Sequence, residues 1–223
     1  MCWSAKIRIS TLIVLLAAVC SAPGAGQLFQ PGPEEPSCAG QPKGTACWKE
    51  LESHPSCYVW TSRLRQGATV TWSAGCVGGL AQGTGTLTWK WASGDYEVTG
   101  FLRAGKQHGH WVLRDVNGTV AEGPYVYGEK TGRWIERFAN GNVGEGPYVN
   151  SKAHGRWIFR LADGRVQEVP YVDGKKHGRW VERSLNGQVN EGPWVAGERH
   201  GRWVFRSPDG STETLTFVNG EPQ

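Results

Sequence analysis

The chain has 223 residues, with 32 Gly, 12 Trp and a formal net charge of +4. So much Gly and Trp points to strands and turns rather than helices. Two of the cations, Lys6 and Arg8, stand in the first ten residues; the rest of the chain is mixed in sign with no polybasic run, which excludes nucleic acid as the expected partner.

Lys6 and Arg8 precede an apolar run from Ile9 to Cys20, and small residues and turn formers follow. This is the layout of a secretory signal peptide, assigned to residues 1–26, and the run is short for a membrane span. Cys20, Ala22 and Gly26 are the candidate cleavage points, and Val19 is bulky for a lipid-anchoring site at Cys20. The expected location is exported: periplasmic or cell-envelope associated, with an extracellular site as the alternative.

Four cysteines remain, Cys38, Cys47, Cys57 and Cys76. An even number in an exported chain implies disulfides, with three connectivities open. Cys38–Cys47 and Cys57–Cys76 are the favoured pairs. The first closes a short loop, and the second would join "CYVW" to "TWSAGC", two strand-like segments able to lie side by side. The spacings lack the close CxxC pairs of zinc sites. Residues 27–71 therefore read as a Pro-rich linker followed by a small Cys-bearing module.

From Trp72 to the end the chain repeats itself. Trp111, Trp134, Trp157, Trp180 and Trp203 are 23 apart, as are Gly118, Gly141, Gly164, Gly187 and Gly210. Tyr125, Tyr148, Tyr171, Trp194 and Phe217 form a third column, with Leu102 ahead of them. An earlier, divergent unit carries Gly79, Gly83 and Gly85. Each unit has two turn signals. "ANG", "ADG", "LNG" and "PDG" predict a type I turn with a left-handed Gly bulge. "DGKKHG" reads as a four-residue connection bracketed by glycines. The segments between are six or seven residues, the length of short strands. The prediction is an all-β fold: an elongated, single-layer antiparallel meander of hairpins over 72–223, with a disulfide-bonded N-terminal module capping one end. Some twelve strands would span roughly 55 Å.

This register pairs Phe138 with Asn142, Glu136 with Gly144 and Trp134 with Gly146. Alternation then places Trp134, Glu136, Gly144, Gly146 and Tyr148 on one face, and Ile135, Arg137, Val143 and Glu145 on the other. Pairing Asn150 with Gly155 across the next turn sets Tyr148 directly against Trp157. Each Trp is expected over a Gly of its hairpin partner strand. On the other face, Arg114, Arg137, Arg160, Arg183 and Arg206 form a column near Glu122, Glu145, Glu168 and Glu191, a set read as cross-strand ion pairs.

The pattern "EGPYV.G…HGRW" with "(N/D)G" between resembles the membrane occupation and recognition nexus (MORN) repeat, in a bacterial variant with Trp where the common motif has its last Gly. The start, "CW.EL…P.CYVW", is similar to the N-terminal region of exported bacterial proteins with this repeat. Val169 and Ser151 replace Gly, Thr131 replaces His, and Trp194 replaces Tyr. The resemblance implies a hairpin array but no single activity. Some relatives of the variant are labelled antitoxin-like or immunity proteins, and MORN repeats are sometimes appended to lipid kinases, whose domain would not fit in the remaining residues.

No GxSxG, HExxH or phosphate-loop motif is present, and "GGLAQGTGTL" lacks the Lys-Ser/Thr of a phosphate loop. Residues of the His column (His108, His154, His177, His200) stand two strands apart, about 9.6 Å, too far to share a zinc ion. No catalytic residue, metal or cofactor is therefore assigned. The candidate binding residues are the aromatic ladder: Tyr125, Trp134, Tyr148, Trp157, Tyr171, Trp180, Trp194 and Trp203. The expected function is non-catalytic binding or scaffolding of a protein or cell-envelope component along one sheet face. Membrane-surface or glycan contact through the ladder, including a carbohydrate or peptidoglycan binder, is the alternative, as is an immunity protein. Where the repetition fails (Val169, Ser151, Thr131, Trp194 and the Cys-bearing start) is where a specific site is expected.

Overall fold

The computed structural model describes residues 37–41, 45–62, 66–92 and 94–223; the segment 1–26 expected to be a signal peptide, Cys20 and most of the linker lie outside them. Among the described residues there is no helix. The main sheet has eighteen strands, thirteen longer and five of two residues. It runs from Thr69–Trp72 through Gly83–Trp91, Gly94–Arg103 and Lys106–Arg114 into the regular units, which end at Thr212–Val218 and Glu221–Pro222. Each strand pairs antiparallel with its neighbours in the chain. The last strand pairs only back into its own unit, so the sheet is open.

The wide hairpin turns form as the sequence predicts. Phe138 donates to the Asn142 carbonyl at 2.9 Å, and Gly141 donates back to Phe138 at 3.0 Å with φ of 84°. The paired strands keep Trp134 opposite Gly146 and Glu136 opposite Gly144. The other connection is tighter than predicted. Asp173 and Gly174 have φ of 49° and 81°, a two-residue turn with both centres left-handed. Lys175–Lys176 then pairs with Tyr171 and Val172 as a short strand. The same geometry gives the strands Glu129–Lys130, Lys152–Ala153, Glu198–Arg199 and Glu221–Pro222, which raise the strand count above twelve.

This turn shifts the pairing between units by two residues. Tyr148 opposes Ala153, while Glu145 opposes Ile158. The step falls at a bulge where the backbone N–H of His154 donates to Pro147 at 2.9 Å, and Gly155 takes φ of 69°. Tyr148 therefore does not face Trp157 across the ladder. Trp157 instead lies over Gly146 of the preceding strand, where an added Cβ would stand 2.3 Å from the ring. Trp111, Trp134 and Trp203 sit likewise on Gly100, Gly123 and Gly192. The ring thus covers a Gly of the preceding unit, not of its own hairpin partner. The indole N–H fixes this choice: Trp134, Trp157 and Trp203 donate to the carbonyls of Pro124, Pro147 and Pro193 at 3.0–3.1 Å.

Both favoured disulfides form, Cys38–Cys47 and Cys57–Cys76. Their strands make a second, four-stranded sheet of Cys47–Glu50, Tyr58–Thr61, Leu80–Ala81 and Cys76–Val77. Tyr58–Thr61 and Cys76–Val77 do not lie side by side as expected, because Leu80–Ala81 stands between them. The module and the array also interleave, since Thr69–Trp72 belongs to the long sheet. The module seals the first edge: the N–H of Glu52 donates to Val70 at 2.8 Å, and that of Trp72 to the Ser53 hydroxyl at 2.9 Å. It also reaches the first tight turn through Trp60 N–H to the Gly105 carbonyl at 2.8 Å.

Gly146→Ala is expected to lower stability by about 1–3 kcal/mol, since the new methyl must displace a packed indole. Gly75→Ala, where a Cβ meets nothing within 4 Å, serves as the control. Urea unfolding midpoints of the two variants check the contrast.

Candidate functional site

All eight ladder residues stand on one face of the sheet and belong to its hydrophobic core, Tyr125, Trp134, Trp157, Trp180 and Trp203 as buried members and Tyr148, Tyr171 and Trp194 packed against them. From Tyr125 to Tyr171 each ring meets the next edge-on: Tyr125 and Trp134 at 5.2 Å, Trp134 and Tyr148 at 5.9 Å, Tyr148 and Trp157 at 5.3 Å, Trp157 and Tyr171 at 6.1 Å. Such T-shaped pairs contribute about 0.5–1.5 kcal/mol each beyond burial. Trp134, Trp157 and Trp203 are buried. Lys130 lies 4.0 Å over the Trp134 ring and 4.8 Å over that of Tyr148. Burial holds its amine below the usual lysine range, and nearby Glu136 opposes that shift. Over most of its length the ladder is thus interior, closed by its own tyrosines and lysine.

The ladder breaks at one position. Val169 occupies the seat that Gly provides in the neighbouring units, and it is buried. Trp180, the ring that belongs on that seat, leans toward Trp203 with centroids 5.3 Å apart at 32°. Among the described residues it makes no hydrogen bond to Pro170, the counterpart of those made by Trp134, Trp157 and Trp203.

A pocket of about 350 Å³ opens beside it, lined by Trp180, Trp194, Trp203, Glu182, Lys176 and Arg199 among others. Trp194 Nε1 is buried without a hydrogen-bond partner. The Lys176 amine stands 4.5 Å over the Trp194 ring, and the Arg199 guanidinium 4.6 Å over Trp203. Burial first, and the charge of Arg199 second, hold Lys176 below the usual lysine range. Glu182 is nearly enclosed and accepts from Gln167 at 2.6 Å and Arg165 at 3.3 Å.

Of the flagged departures, Trp194 lines this pocket directly, and Val169 bears on it through the seat of Trp180, which lines it too. Ser151 instead ties two turns together, accepting from Lys130 N–H and donating to Glu129. Thr131 makes the ordinary bulge contact to Pro124. At the Cys-bearing start, a smaller pocket of about 210 Å³ lies between module and sheet, lined by Trp60, Trp89, Trp91, Tyr96 and Tyr125. Among the described residues no cluster of His, Cys, Asp or Glu is arranged to hold a metal ion.

The opposite face carries the charges. Arg137, Arg160, Arg183 and Arg206 bond Glu122, Glu145, Glu168 and Glu191 of the preceding unit at 2.6–3.3 Å. A second row, absent from the sequence-based reading, comes from Arg133, Arg156 and Arg179, which reach the glutamate of their own hairpin. Glu145, Glu168 and Glu191 are each held by two guanidiniums. The glutamates sit low, while Arg133, Arg156 and Arg179 remain 69%, 66% and 70% exposed. Local sequence mixes the signs, but alternation sorts them: Arg-Ile-Arg faces out on one strand and Val-Glu-Pro on the next, giving two arginines to each glutamate.

The bonds from Arg133 and then Arg160 hold Glu145 below the usual carboxylate range. Burial pushes Glu191 up, but the bonds from Arg206 and Arg179 outweigh it and its pKa is also depressed. Groups depressed in the folded state stabilise above their unfolded value, about 4.3 for Glu, and lose that contribution as pH falls through the folded value. Stability should therefore drop below about pH 4. A Glu145→Gln, Glu191→Gln double variant should lose less over the same interval, as read by urea midpoints from neutral to acid pH.

A scan against protein-family models finds no match for the chain, and a search of curated proteins finds none either.

Proposed function

We propose that this chain is an exported, non-catalytic binding and scaffolding protein that takes an anionic protein or cell-envelope component along its outer sheet face. The observation that carries this reading is the double arginine row. Each guanidinium of Arg133, Arg156 and Arg179 gives a carboxylate one bonded edge and turns its remaining donors to solvent. Equivalent residues recur every second strand, about 9.6 Å apart. A rigid, regularly spaced cationic strip suits an extended anionic partner, and it speeds encounter as well as adding affinity.

The disulfides fit an oxidising compartment, and the basic, then apolar N-terminus supports export. The hairpin units with their Gly and Trp columns support the resemblance to MORN repeats. A glycan platform running the length of the ladder has less behind it, because most of its indoles are covered. Trp157→Ala, the obvious probe of such a platform, would chiefly test the core.

A pull-down from envelope extract of the native host should return one stoichiometric partner at low salt and progressively less as salt rises. Arg133→Gln with Arg156→Gln should sharply weaken capture while leaving the fold intact, since pairs of this exposure contribute only about 0.2–1 kcal/mol each. Undiminished capture by that variant would overturn the assignment of the outer face.

A further inference from the structure

The pocket beside Trp180 presents three groups that the fold leaves unanswered. Trp194 Nε1 is a buried donor without an acceptor, a condition that native structures seldom tolerate without a ligand or water. Lys176 and Arg199 lie over rings in the same pocket, and neither makes an ion pair among the described residues.

The unit at Lys130 shows what is missing. There the cation has Glu136, six residues on, at 3.9 Å. The counterpart of Glu136 for Lys176 is Glu182, and Glu182 is already engaged by Gln167 and Arg165. The cause is again a departure from the repeat, because Gln167 stands where the preceding unit has Gly144.

We propose that this pocket binds a carboxylate-bearing sugar ring, with the carboxylate between Lys176 and Arg199 and accepting from Trp194 Nε1. Trp180, displaced from its seat, lines the pocket beside these groups and offers its indole to the C–H face of a pyranose. The carboxylate of Glu182 offers an acceptor to a ring hydroxyl from the opposite wall. The same carboxylate favours a ligand of single negative charge over a phosphate dianion. A pocket of about 350 Å³ falls in the range of small-ligand sites. This site lies on the face opposite the arginine rows, so it does not depend on the partner proposed for them.

The test is a titration of the mature chain with methyl glucuronide, methyl glucoside, N-acetylmuramic acid and inorganic phosphate, followed by indole NMR and tryptophan fluorescence. At least one of the two acidic sugars should bind and shift the Trp194 indole proton, and which of them binds more tightly separates a uronic-acid polymer from a cell-wall source. Methyl glucoside should bind at least about tenfold more weakly, the loss expected for a charge-assisted contact. Trp194→Phe keeps a ring but removes the donor, and should weaken binding by about tenfold.

Val169→Gly restores the seat, so Trp180 should return to it and close the pocket. Binding should then vanish while the unfolding midpoint stays the same or rises. Equal affinity for glucoside and glucuronide, phosphate binding as tight as the acidic sugars, or unchanged affinity in Trp194→Phe would each overturn the proposal. So would the absence of any shift at Trp194.

Discussion

An indole lying flat on a glycine, its N–H tied to a proline carbonyl one unit back, is the contact on which the array depends. A single-layer sheet has no second layer to bury its apolar face. Here each unit lays its largest side chain on the strand before it, so the cover for one unit is supplied by the next. The Gly column exists because a Cβ at Gly123, Gly146 or Gly192 would stand 2.3–2.5 Å from that ring. The Pro column follows from the same contact. In a strand, a residue's N–H and C=O point to the same neighbour. The carbonyl of Pro147 faces the bulge, where it accepts from both His154 and Trp157. A donor at that position would face an interrupted ladder, so its loss costs little. The bulge in turn needs the left-handed Gly155. Four columns of the repeat, Trp, Gly, Pro and the bulge Gly, thus express one interaction.

The two faces then divide the work. Tyrosines and Lys130 complete the ladder by covering ring edges and faces, which leaves that side largely apolar and self-contained. The charges go to the other side because alternation gives them nowhere else. The glutamates held by two arginines apiece link three strands: the strand that bears Glu145 has Arg133 on one side and Arg160 on the other. These links run in the same direction as the indole contacts, from each unit to its predecessor. Cohesion is therefore local and propagates along the array, as in other repeat architectures. At its start the disulfide module occupies the first edge with Glu52 and Ser53.

Periodicity made much of this legible. Equal spacing of Trp and Gly gave the hairpin unit, and the turn signals gave the register within it, down to Trp134 opposite Gly146. The even cysteine count and short spacings led to the disulfide pairs. What spacing could not carry was the geometry between units. "DGKKHG" contains both a two-residue turn and a bulge, and only the sum of the two appears as a length. The Asp173-Gly174 dipeptide was the available signal for the tight turn, and Asn219-Gly220 repeats it. Missing the bulge moved Tyr148 in front of Trp157 and put each ring on the wrong glycine. The row of Arg133, Arg156 and Arg179 was overlooked because HGRW reads as a turn sequence, though its arginine already belongs to a strand.

The departures from the repeat differ in kind, and the seat explains why. Ser151 and Thr131 alter turn residues whose backbone roles survive the change, so the ladder passes them undisturbed. Val169 alters the one position at which size is forbidden. A branched side chain there cannot share the space with an indole, and the mismatch is taken up by the ring, since the strand of Val169 stays in register with that of Trp157 along its whole length. Trp180 consequently loses its proline partner and leans toward Trp203, and the displaced ring lines the cavity. Trp194 in the place of a tyrosine brings a donor to the wall of that cavity, and Gln167 draws Glu182 away from Lys176. Three substitutions within 28 residues bear on one volume: Gln167 and Trp194 line it, and Val169 acts on it through Trp180. Random drift in a repeat would scatter such changes among columns and faces. Their convergence on the buried face, where each has a structural cost, is the pattern expected of a site.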